Sequence, residues 1–64
     1  MANITVYEAE QNKTQSASLK LVINHTNKTI QVGHYITHER GLKTTKSVLH
    51  QIAADLLYAD YKEI

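Results

Sequence analysis

The segment that decides the fold is residues 44–59, which reads TTKSVLHQIAADLLYA. At about 100° per residue, its aliphatic side chains fill one broad half of a helix and its polar side chains fill the other half. We expect Thr44 or Thr45 to be the N-cap, because a threonine hydroxyl accepts a hydrogen bond from a free N–H group of the first turn. The rest of the chain must therefore cover an aliphatic stripe formed by Val48, Leu49, Ile52, Ala53, Leu56, Leu57 and Ala59.

Three segments that precede the helix have the alternating pattern of half-buried strands. They are residues 3–9, 18–25 and 29–37, and the polar run 10–16 connects the first two. In the first strand we expect Ile4 and Val6 on one side and Tyr7 on the other, polar side. The sequence predicts one α+β domain of residues 1–64, a three-stranded antiparallel sheet in the order β-β-β-α with one C-terminal helix packed on one face.

The connection between the second and third strands predicts their register. A two-residue turn at Asn27 and Lys28 fits, because Asn tolerates the positive φ that such turns require. This turn would place Ile23 opposite Val32 and Leu21 opposite His34. One face of the hairpin is then almost wholly aliphatic, whereas a slip of one residue would mix the two faces.

Composition limits the classes of function. The chain has 64 residues, no cysteine and a net charge of +1, so disulfides are impossible and no bulk charge favours nucleic acid or an anionic membrane. A domain of this size has marginal stability, for which self-association is a common remedy. The N-terminal sequence lacks the features of a signal peptide, and no apolar run is long enough to span a membrane. We therefore expect a cytoplasmic protein with no membrane partner.

The sequence contains no catalytic motif. It lacks a cysteine nucleophile, a glycine-rich phosphate loop and a nucleophile elbow. His34 and His38 are four residues apart, but on a strand this spacing is about 13 Å, too wide for two ligands of one ion. We expect a non-enzymatic protein without cofactor, metal or small-molecule substrate.

The leading functional hypothesis is a protein-binding or self-associating module. The aliphatic stripe is wider than one contact requires, and further apolar side chains lie outside it. We expect a homodimer or another protein partner, bound through Leu57, Tyr58, Tyr61 and Ile64. The alternative is that a thin sheet wraps the helix and leaves the tyrosines half exposed.

The second hypothesis is nucleic-acid binding. Lysines lie near the positive end of the helix and acidic residues near its negative end, the reverse of what the helix dipole favours. A phosphate group would complement the helix N-terminus, and an aromatic and basic sheet face would stack bases. The residues expected to take part are Lys20, Tyr35, Arg40, Lys43 and Lys46. The alternative is an ordinary solvated loop and a common strand tyrosine.

Overall fold

A computed structural model of the protein describes residues 3–9 and 18–64. Its elements are β1 (Ile4–Ala9), β2 (Leu19–Asn24), β3 (Thr29–Gly33), β4 (Leu42–Thr44), α1 (Lys46–Tyr58) and β5 (Lys62–Glu63). The α+β class with one helix is confirmed. The prediction of a three-stranded antiparallel sheet understates the structure, because two further short strands flank the helix and join the sheet. The predicted connection at residues 10–16 lies outside the described residues.

The five strands form one mixed sheet in the order β4-β1-β2-β3-β5. Strand β2 is antiparallel to both β1 and β3, as expected. The short strands occupy the two edges, where β4 runs parallel to β1 and β5 runs parallel to β3. The helix therefore connects one edge of the sheet to the other, and it packs across the strands between them.

The turn between β2 and β3 has four residues rather than two. Leu21 lies opposite Val32 and Ile23 opposite Ile30, so the predicted register is wrong by two positions. Asn24 causes this change, because its Oδ1 accepts hydrogen bonds from the backbone N–H groups of Thr26 and Asn27, each at 3.0 Å. A shift of two residues leaves the side chains of β2 and β3 on their predicted faces.

The core lies between the helix and the face of the sheet that carries Leu21. Buried side chains come from the alternate positions of β2, from β3 and β1, and from one flank of α1. They are Ala9, Leu19, Leu21, Ile23, Ile30, Leu49 and Ala53. The stripe of α1 that meets the sheet is thus narrower than the predicted one, and Val48 and Leu57 remain exposed at its two margins.

Strand β1 has the opposite orientation to the one predicted. Tyr7 lies opposite Leu21 and packs against the core, whereas Val6 lies opposite Val22 on the other face. Both faces of β1 carry apolar side chains, so alternation alone did not fix which of them meets the helix. The tightest position decides it: Ala9 is fully buried opposite Leu19, where the strand passes under the helix. Tyr7 therefore does not lie on the polar face of the sheet.

Both ends of α1 are defined by specific contacts. Thr45 is the N-cap, and its Oγ1 accepts a hydrogen bond of 3.2 Å from the N–H of Val48. After Tyr58 the chain turns at Asp60, which has a φ of 67°. The N–H of Tyr61 donates to the carbonyl of Leu56 at 3.0 Å, the closing bond of a Schellman motif. This turn directs the chain into β5.

The connection between β3 and β4 passes the face of the sheet opposite the helix. Lys20 projects from that face, and its Nζ donates to the carbonyls of Thr37 and Glu39 at 3.1 and 2.9 Å. The connection returns to β1 at Gly41, where an added Cβ would lie 2.6 Å from the carbonyl oxygen of Val6. The strand predicted for residues 29–37 consequently ends at Gly33, and His34 is exposed in the connection instead of lying opposite Leu21.

Candidate functional site

The most exposed apolar surface of the helix is formed by Ala54, Leu57 and Tyr58, which we call the Tyr58 surface. These three residues line a shallow depression of about 240 Å³ on the side of α1 turned away from the sheet. The Tyr58 side chain is 92% exposed and that of Leu57 is 44% exposed. An exposed aromatic ring beside apolar neighbours is typical of a contact surface.

The fold holds the backbone of this surface in place. Leu49 and Ala53 on the other side of α1 are buried in the core, and the Thr45 cap and the Tyr61 bond close the two ends of the helix. Helix residues whose backbone is already fixed lose little further freedom on binding.

Tyr61 and Ile64, which were expected to join this surface, lie in different surroundings. The Tyr61 ring packs against the core, and its hydroxyl is 2.9 Å from Nδ1 of His25. Nε2 of the same histidine is 3.0 Å from Oγ1 of Thr5, so Tyr61 belongs to a hydrogen-bonded group that ties β5 to β1. Ile64 is 77% exposed, and its N–H donates to the carbonyl of Ile30.

The charges around α1 oppose its dipole. The helix has no acidic residue in its first turn and no basic residue in its last turn. Lys46 is the first helical residue, and Asp60 follows the C-cap. Each charge therefore lies at the end of the helix whose partial charge has the same sign.

A second depression, of about 420 Å³, lies on the opposite face of the sheet. It brings together three of the residues expected to bind nucleic acid, namely Lys20, Tyr35 and Arg40. Tyr35 is 76% exposed and has a φ of 60°, which is uncommon for a residue with a Cβ. The remaining lining residues are Glu8, Ser18, Thr37 and His38.

Lys43 and Lys46 are separated from this depression. They line another one, of about 440 Å³, together with Thr44 and Thr45 at the start of the helix. In the sheet, Glu8 lies between Lys43 on β4 and Lys20 on β2. A carboxylate thus divides the two lysines, and sequence analysis missed it because the β1–β4 pairing has no local signal.

Within residues 3–9 and 18–64, no three His, Asp or Glu side chains converge in the way that metal ligands do. The single helix of the described part is too short to cross a membrane. The chain matches no family model, no curated protein and no solved structure.

Proposed function

We propose that this protein is a non-enzymatic binding module, which associates through the Tyr58 surface with a second copy of itself or with another protein. The observation that carries the proposal is the 92% exposure of Tyr58 beside Leu57 and Ala54 on an otherwise well-anchored helix. Tyrosine contributes a large, rigid contact area, and it is enriched among the residues that dominate binding energies.

Two glutamate substitutions test this function. In Leu57→Glu and Tyr58→Glu, a charge replaces an apolar contact. We therefore expect the affinity for a second copy or for another protein to fall at least tenfold. The folded state should change little, because both side chains are substantially exposed. Sedimentation over a wide concentration range, followed by capture of partners from native cells, measures the effect.

Val48→Glu is the matched control. Val48 is 47% exposed, close to the value for Leu57, but nine residues away at about 100° each it lies on the other margin of the helix. We expect Val48→Glu to retain association, and its glutamate near the helix N-terminus should be favourable. If the wild-type protein remains monomeric and none of its partners is lost on substitution of Leu57 or Tyr58, the proposed function is incorrect.

A second candidate function is the binding of single-stranded nucleic acid at the depression formed by Lys20, Tyr35 and Arg40. The exposed Tyr35 ring next to two cationic side chains supports it, since bases stack on aromatic rings beside a basic groove. We expect affinity to fall steeply with salt and to decrease by about fivefold or more in Tyr35→Ala and Arg40→Ala. Fluorescence anisotropy with a labelled oligonucleotide measures this, and salt-independent or unchanged binding excludes it.

A further inference from the structure

The exposed side of α1 has the spacing of a helix-pairing surface. Ser47, His50, Ala54 and Leu57 recur at intervals of three and four residues, and all four are exposed. Tyr58 lies beside them. Ala54 is near the middle of this row, and its small side chain permits close approach of a second helix.

The two ends of this surface carry opposite charges. At 1.5 Å per residue, Lys46 lies about 12 Å from Ala54 towards the N-terminus, and Tyr58, the last helical residue, lies about 6 Å away in the other direction. Asp60 follows just beyond the C-cap residue Ala59. Glu63 adds a second exposed carboxylate beyond Asp60. An antiparallel neighbour that crosses at Ala54 therefore brings its Asp60 beside Lys46, and its Lys46 beside Asp60.

The same arrangement reverses the unfavourable charge order of the isolated helix. In one chain, Lys46 lies at the positive end of the helix dipole and Asp60 at the negative end. In the antiparallel pair, each N-terminus receives a carboxylate from the other copy, and each C-terminus receives an ammonium group. Two like-oriented helices would instead place Lys46 against Lys46 and Asp60 against Asp60.

We infer that the partner of the Tyr58 surface is a second copy of this chain, held with its α1 antiparallel to the first and crossing it at Ala54. This inference rests on the proposed function and specifies its partner. Tyr58 of each copy then lies level with His50 of the other along the helix axis, because these two positions are equidistant from Ala54. The contact of one short helix is smaller than a standard interface of ~800 Å² per partner, so the dimer is expected to be weak.

Cysteine cross-linking tests the geometry, and the natural chain contains no cysteine to interfere. Ala54→Cys should form a disulfide-linked dimer under mild oxidation, since the two Cα atoms at the crossing are close enough for this bond. His50→Cys, in the next turn of the same exposed surface, should not cross-link, because antiparallel copies hold these positions about 12 Å apart along the axis. Efficient cross-linking of His50→Cys would show like-oriented helices and overturn the inference.

Charge reversal is the second test, measured by sedimentation. Lys46→Asp and Asp60→Lys should each weaken the dimer by about three- to thirtyfold, because each reversal affects two exposed ion pairs. The double variant should recover to within about twofold of the wild-type affinity. If the wild-type protein dimerises without either the Ala54→Cys cross-link or this recovery, the antiparallel arrangement is wrong and the binding function stands. If the wild-type protein is monomeric and only a different protein binds the Tyr58 surface, the inference that the partner is a second copy of this chain is wrong.

Discussion

At the scale of single residues, the left-handed backbone conformations occur at residues other than glycine. Lys28, Tyr35 and Asp60 have φ values of 55°, 60° and 67°, whereas neither glycine has a positive φ. Gly41 is needed for a different reason: a Cβ at this position would collide with the backbone of Val6. The prediction that Asn27 and Lys28 form a two-residue turn is wrong, because the side chain of Asn24 organises a longer turn that ends at Lys28.

Replacement of Lys28 by glycine should therefore stabilise the protein. An L-residue in the left-handed region carries a steric cost that glycine does not, and this gain exceeds the entropy that glycine adds to the unfolded chain. We expect Lys28→Gly to raise the free energy of unfolding by about 0.5–1 kcal/mol. Asn27→Gly, in the same turn but without a positive φ, should lower it by a similar amount. Urea denaturation measures both, and equal changes in the two variants would contradict this explanation.

At the scale of elements, the structure confirms the predicted helix, because the signals for a helix come from residues close together in the sequence. The helix begins at its predicted cap and ends near the predicted residue, because a long aliphatic periodicity and a threonine hydroxyl both act within a few positions. Strands β4 and β5 have three and two residues, too few to show alternation. Their hydrogen bonds depend on β1 and β3, which are distant in sequence, and no pattern within the strands indicates these partners.

The connection between β3 and β4 depends on close packing at Gly41. In Gly41→Ala, the new methyl group would lie 2.6 Å from the carbonyl oxygen of Val6, and the backbone of β1 cannot move aside without loss of sheet hydrogen bonds. We expect the free energy of unfolding to fall by about 1–3 kcal/mol, as in other overpacked sites. Gly33→Ala is the control, because its Cβ would meet no backbone atom and only the Cγ2 methyl group of Ile36, at 3.2 Å. A loss as large for Gly33→Ala as for Gly41→Ala in urea denaturation would refute this account.

At the scale of the whole molecule, two connections determine which predicted site residues meet. One is the β3–β4 connection, and the other is the helix that joins β4 at one edge of the sheet to β5 at the other. Leu57 and Tyr58 are neighbours because helix periodicity is local, and this pairing could be read from the sequence. Lys20 and Arg40 share a depression only because the β3–β4 connection passes over the sheet. Tyr61 packs towards His25 because the chain adds β5 after the helix. These last two arrangements require the strand order, which the sequence pattern did not contain.

The helix has a consequence for the borders of the sheet, because its two ends continue directly into β4 and β5. These strands are the only edges of the sheet in the part of the chain that the structure describes, and they lie on opposite sides. On either side of the helix the chain forms only a short strand, three residues in β4 and two in β5. Edges this short offer a foreign chain few free backbone N–H and C=O groups, so extension of the sheet by another strand is disfavoured at both borders.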